Sequence, residues 1–434
     1  MTVGFGIDFG TSNSALAVAR SDGSVRVAKW RVPEPLAGQV ESTDDGAAQF
    51  TSTLPTVLFA PSYETGIHAG YEAITRYLIT GLEGRFIQSI KAFLPQASFT
   101  GTTIRGRHFS IEELIASFLR ALLAGAKTTL GQEIGGRIVL GRPARFALDP
   151  QADRLAEQRL LEAAALAGLA EVTLVIEPVA AALAYEATLH ADELVLVVDL
   201  GGGTSDFTLM HVGPSHARIH NDRSRVVASG GVPTAGDAID GEIVEARLFD
   251  AFGFGAHYRA FDGPASVPDW IFHRLKRWNH VSFLKSKQYL DFLITAHATC
   301  DRPDKIGRLI ELVEEDMGYL LFRAVERAKR TVQADKPARI ADLASNLPID
   351  QSLTQKQFEA ATAPLVDEIR QTALGVLADG GVAPKAVDAV FMTGGTSLNA
   401  NMRAAFADLF GEQRLRTRST FTSVVDGLAR ASLH

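Results

Sequence analysis

Apolar and polar positions alternate along Val3–Asp8, break at Gly10-Thr11-Ser12-Asn13, and alternate again over Ser14–Arg20. That pattern predicts a β-hairpin in place of a strand-to-helix turn. Residues 34–53 are polar and contain Pro and Gly, so they read as a loop before a further strand at Thr56–Ala60. Ser110 followed by Glu113 forms a capping box that opens an apolar-periodic helix over Ile111–Gly125. A strand at Gly136–Gly141 follows, and then Asp149-Pro150 supplies an N-cap and a first-turn proline for a long helix ending near Gly168. The strand Val172–Ile176 leads into Glu177-Pro178 and a helix through Tyr185–Ala187. Strands joined by helical crossovers predict an α/β domain.

The pattern then restarts. Leu194–Asp199 reads as a buried strand, Gly201-Gly202-Gly203-Thr204 as a turn and Ser205–Met210 as a second strand. Asp199-Leu200-Gly201 aligns with Asp8-Phe9-Gly10, which suggests two related lobes. The stretch Asp240–Asp335 is mostly helical by pattern and includes a charged amphipathic run, Leu309–Thr331. Thr354 and Gln357 form a second capping box, whose helix ends near Gly380-Gly381. The chain closes with a strand at Ala389–Met392, a turn at Gly394-Gly395-Thr396, a helix at Asn401–Phe410 and the segment Ser423–Ser432.

Composition narrows the function without naming it. The 434 residues are 46% hydrophobic and 21% charged, enough for two or more domains with sizeable cores. A net charge of -7 provides no pervasive basic field for nucleic acid. The single cysteine, Cys300, cannot form an internal disulfide. The start lacks the basic and apolar regions of a signal peptide, and apolar runs such as Leu194–Leu200 are too short to span a membrane. These features predict a cytoplasmic, monomeric protein with no nucleic-acid or membrane partner.

The glycine loops carry the chemistry. A triphosphate needs converging N–H donors, and glycine lets the backbone itself approach. Thr11, Ser12, Thr204 and Ser205 add hydroxyls, while Asp8 and Asp199 offer carboxylates to Mg²⁺ through retained waters. Asp206 adds a third carboxylate, and Gly394-Gly395-Thr396 stands before a helix, where its N–H groups suit a phosphate or nucleoside. No GxxxxGK[ST] motif is present, and Phe9 breaks the GxGxxG spacing begun by Gly4 and Gly6. Several other features have plain structural readings. His216 and His220 have no third zinc ligand, the Arg274–Trp278 run with Lys285 and Lys287 reads as a solvated amphipathic helix, and Cys300 reads as a small buried apolar residue.

GIDFGTSNSALAV, DLGGGTSDFTL and FMTGGTS resemble the phosphate and adenosine loops of the actin-like ATPase superfamily. IEPVAAALAYE (176–186), FIQSIKAFL (86–94), AVERAKRTV (324–332) and GGVPTAGDAIDGEIV (230–244) are similar to segments of the DnaK-type heat-shock chaperones. This resemblance implies an actin-like α/β fold of two lobes and four subdomains with ATP or ADP in the central cleft. It implies lobe I over 1–190 with an inserted subdomain at about 39–108. Lobe II would cover 191–414 with a helical insertion at about 233–361, and 415–434 would return to lobe I. By the same resemblance Lys91, Glu177, Asp199 and Asp206 are catalytic. Gly10, Thr11, Ser12, Asn13, Gly201, Gly202, Gly203, Thr204, Gly394, Gly395 and Thr396 hold phosphate and adenosine. Glu326, Lys329 and Arg330 would surround the base and ribose, and Gly236 and Asp237, with Asp240, would form a further nucleotide-binding loop similar to the family's GGxxFD-type loop. Asp8 and Asp199 fix hydrated Mg²⁺, with K⁺ a further candidate.

The implied activity is slow hydrolysis of ATP to ADP and phosphate, coupled to lobe opening and to an unidentified protein partner or client. The chain stops at His434, as do the short, lid-less YegD-type members, whose helical insertion is also similar to Phe252–Glu315. Leu398, Asn399 and Ala400 replace the family's arginine and Ile-Pro, Gln333-Ala334-Asp335 replaces its serines, and FTSVVDGLARA replaces NPDEAVAYGAA. These departures imply looser base selectivity. Two other classes stay open on the same fold, a small-molecule kinase and a nucleotide-binding scaffold with little hydrolysis.

Overall fold

The computed structural model describes residues 3–33, 50–80, 83–147, 149–186, 189–216, 225–334, 336–341, 343, 346–416 and 423–433. Most of the predicted 34–53 loop, His220, Asp335 and the start of the FTSVVDGLARA segment lie outside them. The chain divides into two units, the first comprising Met1–Pro233, Ile369–Leu398 and Met402–His434, the second Thr234–Glu368 and Asn399–Asn401.

Two sheets organise the first unit. One runs in the order Glu171–Ile176, Arg137–Arg142, Val3–Phe9, Asn13–Arg20, Val25–Val27, with Leu54–Pro55 also paired to Asn13–Arg20. The other runs Leu415–Arg416, Ala389–Thr393, Glu193–Leu200, Ser205–Val212, Val226–Val232. In each, a central strand pairs antiparallel with its hairpin partner and parallel with a later strand. The repeat of the two Asp-Gly hairpins is thus matched by a repeat of sheet order.

The helix Glu177–Glu186 brings the two sheets into one core. Val179, Ala180 and Leu183 pack among Val139 and Val175 of the first sheet and Val195, Val197, Met210 and Phe391 of the second. The helix Ser423–Ala431 joins the same core through Leu428 and lies directly on the first strand. A Cβ on Gly4 would meet the Ser432 Oγ at 2.0 Å, and one on Gly6 the Ala429 nitrogen at 2.3 Å. Gly4 and Gly6 therefore serve close packing of helix on strand. Both predicted capping boxes form. Ser110 Oγ accepts from the Glu113 N–H at 3.1 Å while Glu113 accepts from the Ser110 N–H at 2.9 Å. Thr354 and Gln357 exchange the same pair of bonds at 3.3 and 3.0 Å. Asp149 caps its helix through the Ala152 N–H at 2.9 Å.

The second unit is mainly helical, with helices at Gly236–Leu248, Lys287–His297, Pro303–Glu314 and Gly318–Gln333. Two departures from the pattern reading appear there. The run Leu309–Thr331 is two helices, broken at Asp316, which adopts φ +53°. The helical insertion also contains a small hairpin, His257–Ala260 with Gly263–Ser266.

Candidate functional site

Strand register places the carboxylates. Asp8 is the next-to-last residue of the first strand, opposite Ala15, and Asp199 the next-to-last of its counterpart, opposite Asp206. Both hairpins turn immediately beyond, and the Gly201 N–H donates to the Thr204 carbonyl at 3.0 Å to close the second turn. The two turns approach each other, because a Cβ on Gly203 would sit 3.3 Å from Thr11 Cγ2. The third loop follows the strand parallel to Asp199. Thr393 Oγ1 donates to Asp199 Oδ1 at 2.9 Å, and Thr396 Oγ1 donates to the Gly201 carbonyl at 2.8 Å. Gly394-Gly395-Thr396 therefore joins the second hairpin. It passes first into a short 3-10 turn, Gly395–Leu398, ahead of the helix Ala400–Phe410.

Lys91 and Glu177 reach this cluster from different elements. Lys91 lies on a short 3-10 segment, Ile90–Phe93, and Glu177 opens its helix directly after the strand ending at Ile176. Lys91 Nζ donates to Glu177 Oε1 at 2.8 Å, with the two residues 8% and 7% exposed. An isolated helical lysine would be solvated; this one is a buried member of an ion pair. Burial opposes its charge, but Glu177, Asp8 and Asp199 outweigh that cost and hold the ammonium charged.

The carboxylates respond in the opposite sense. Burial, with Glu177 adding to it, pushes Asp8 up to about 8. Burial and Glu177 push Asp199 up to about 6, against the Thr393 bond and Lys91. Burial pushes Asp206 up to about 7, although Thr204 Oγ1 donates to its Oδ2 at 2.8 Å. Four carboxylates thus face one ammonium, an excess of negative charge that a divalent cation would relieve. Among the described residues, no three His, Cys, Asp or Glu side chains are grouped to ligate one ion directly. Ser12 Oγ is buried without a hydrogen-bond partner, which suits a phosphate oxygen at the first turn. The residues present fit a hydrated Mg²⁺ with a polyphosphate.

The second unit collects the other predicted contacts. Gly236, Asp237 and Asp240 begin one helix, and Glu326, Lys329 and Arg330 lie on another. Lys329 Nζ is 2.7 Å from Asp240 Oδ1. Glu326 is paired with Arg323 at 2.7 Å and Arg330 at 2.5 Å. Burial raises Asp240 to about 7 and also raises Asp237. Burial works against the Glu326 charge too, but Arg323, Arg330 and Lys329 outweigh it and lower that group. Thr393 was missed in the sequence, since its contact with Asp199 depends on pairing between distant strands. Cys300 is half-buried, its Sγ 3.5 Å from the His297 carbonyl.

Paired sheets of one order, each presenting an aspartate and a glycine turn, define the actin-like ATPase fold. A sequence profile of the Hsp70 protein family matches residues 90–233 and 300–428, a span that includes Lys91, Glu177, Asp199 and Asp206. The DnaK chaperone of Thermosipho melanesiensis is 27% identical over 94% of this chain and 55% of its own length. That of Thermosipho africanus is 26% identical over 98% and 58%. The dnaK chaperone of Cyanidioschyzon merolae is 27% identical over 71% and 41%. The chain spans about half the length of the curated relatives it matches. It belongs to the Hsp70 family.

Proposed function

We propose that the chain binds ATP with Mg²⁺ and hydrolyses it slowly to ADP and phosphate, as the ATPase part of a chaperone-type protein related to the short YegD-like members. The observation that carries this reading is the buried Lys91–Glu177 pair set among Asp8, Asp199 and Asp206 beside two facing glycine turns. Phosphoryl transfer to water depends mostly on positioning and fixed charge. In this reading Lys91 stabilises negative charge on the transferring phosphoryl group, and Glu177 fixes the ammonium. Glu177 and Asp206 accept hydrogen bonds from the attacking water, whose oxygen bonds to phosphorus as the bond to the ADP oxygen breaks. Asp8 and Asp199 hold waters of the metal. When bound, Mg²⁺ neutralises charge on the phosphate oxygens. Thr11, Ser12 and the turn N–H groups bind those oxygens, and Glu326, Lys329 and Arg330 serve the base and ribose. Coupling of turnover to movement of lobes 1–190 and 191–414, and to a protein client, is part of the same proposal.

The test is single-turnover hydrolysis. Lys91→Ala should slow it roughly 10²–10³-fold, about 3–4 kcal/mol of transition-state stabilisation, with nucleotide affinity largely kept. Unchanged hydrolysis in that variant overturns the assignment.

A further inference from the structure

Lys91 is held by a segment that has little regular structure of its own. Ser89, just before it, takes the left-handed conformation at φ +56°, and the 3-10 turn that follows is only Ile90–Phe93. Short 3-10 turns have poor internal hydrogen-bond geometry and need outside support. That support comes from Arg159, a buried residue in the middle of the helix Pro150–Leu166. Its Nη1 donates to the Leu94 carbonyl at 3.1 Å and to the Gln96 carbonyl at 3.0 Å. Its Nε lies 3.3 Å from Glu112 Oε1, in the first turn of the helix that begins at Ile111. Gln96 completes the link, since its side-chain Nε2 donates to the Ala92 carbonyl at 3.3 Å, next to Lys91.

We propose that Arg159, oriented by Glu112, is a positioning residue that sets where Lys91 places its ammonium. The inference rests on the hydrolytic role given to Lys91 above. The partners of Arg159 among the described residues, the Leu94 and Gln96 carbonyls and Glu112, lie outside the carboxylate cluster. It fixes the carbonyls at the exit of the Lys91 turn, where the planar guanidinium meets two carbonyls and a carboxylate at once, a set of contacts that an ammonium cannot reproduce. A shift of about 1 Å in a charged catalytic group is enough to cost up to about 10²-fold in rate.

The experiment is a double-mutant cycle on single-turnover hydrolysis and ADP affinity, using Arg159→Gln, Lys91→Ala and the combination. Arg159→Gln should slow hydrolysis by roughly 10-fold or more while ADP affinity stays within about 2-fold, and Arg159→Lys should recover part of the loss. In the Lys91→Ala background Arg159→Gln should cause no further slowing, because the group it positions is gone. Full additivity, or an equal loss of ADP affinity, overturns the inference and marks Arg159 as a general scaffold residue. Glu112→Gln, a milder change at the edge of the contact, should slow hydrolysis about 2–5-fold and serves if Arg159→Gln does not fold; a wild-type rate in that variant also overturns the inference. A Lys91→Ala protein at the wild-type rate refutes the ATPase reading itself, whereas a slow Lys91→Ala with an unaffected Arg159→Gln refutes this inference alone.

Discussion

Gly394→Ala is the substitution whose cost the structure defines most closely. Gly394 has φ +79°, and a Cβ there would lie 2.3 Å from the Leu200 carbonyl oxygen, 2.6 Å from its carbon and 2.8 Å from Asp199 Oδ1. Two penalties act together. An L-residue in the left-handed region costs about 1–2 kcal/mol. Overpacking against backbone that cannot swing aside adds about 1–3 kcal/mol. The sum is a destabilisation of about 2–5 kcal/mol. Gly381 provides the internal reference, since it has φ +66°, lies in the same unit, and a Cβ there meets nothing within 4 Å. Gly381→Ala should therefore cost only the conformational penalty, about 1–2 kcal/mol. Urea unfolding followed by circular dichroism gives both values from the midpoint shift if the slope is unchanged. The crowded atom is the same Asp199 oxygen that accepts the Thr393 bond, so Gly394→Ala should also weaken Mg²⁺–ADP binding, and Gly381→Ala should not. Equal destabilisation of the two variants, within about 0.5 kcal/mol, would refute the argument that close contact adds to the strain.

Two further outcomes follow from the same cluster. Asp8, Asp206 and Asp199 are raised to about 8, 7 and 6, and Asp240 in the second unit to about 7. The folded state keeps these protons where the unfolded chain has lost them, so stability falls as pH rises from about 4 through about 8. Melting temperatures in EDTA should decline across pH 5–8, and Mg²⁺ with ADP should flatten that decline by favouring the ionised carboxylates; a flat or rising profile without metal would contradict the assignment of buried carboxylates. Gly141→Ala would place a Cβ 2.9 Å from Glu177 Cγ and 3.2 Å from its Oε1, forcing the carboxylate away from Lys91. Hydrolysis should slow about 10-fold with ADP affinity within about 2-fold, and a wild-type rate would separate the Lys91–Glu177 contact from catalysis.

Local signals were legible and non-local ones were not. Capping boxes occupy four consecutive residues, so Ser110–Glu113 and Thr354–Gln357 are visible without a fold. The hairpins are equally local. The helix from Ile111 continues to Leu130, five residues beyond Gly125, because that glycine accommodates Trp30, whose Nε1 would lie 2.6 Å from a Cβ there. Gly125 looked like a stop signal, and its purpose is a contact with a residue far away in sequence. The break at Asp316 escaped the periodic pattern because the only glycine near it, Gly318, sits inside the apolar-periodic run as the first residue of the second helix, and aspartate is among the few side chains that tolerate the left-handed region. Lys91 was recognisable only by family resemblance. Nothing in FIQSIKAFL distinguishes a buried ammonium from a solvated one until Glu177 arrives from 86 residues away.

The two sheets also show how a repeated frame yields an asymmetric site. Asp8 and Asp199 occupy equivalent ends of equivalent strands, each beside a parallel neighbour. In the second sheet that neighbour places Thr393 level with Asp199, and its hydroxyl donates to the carboxylate. In the first sheet the pairing of Ile7 with Leu140 puts Gly141 one step further on, beside Asp8. Its missing side chain is the space that Glu177 fills. Burial and Glu177 raise both aspartates, to about 8 for Asp8 and about 6 for Asp199, and Asp199 alone has the Thr393 hydrogen bond that opposes the shift. Across the hairpins, Asp206 faces Asp199 where Ala15 faces Asp8. The substitutions at these paired register positions put the ion pair on the Asp8 side and the extra carboxylate on the Asp199 side. The proposed ATPase function would use that division, with phosphate approached from both hairpins and water activated on one side.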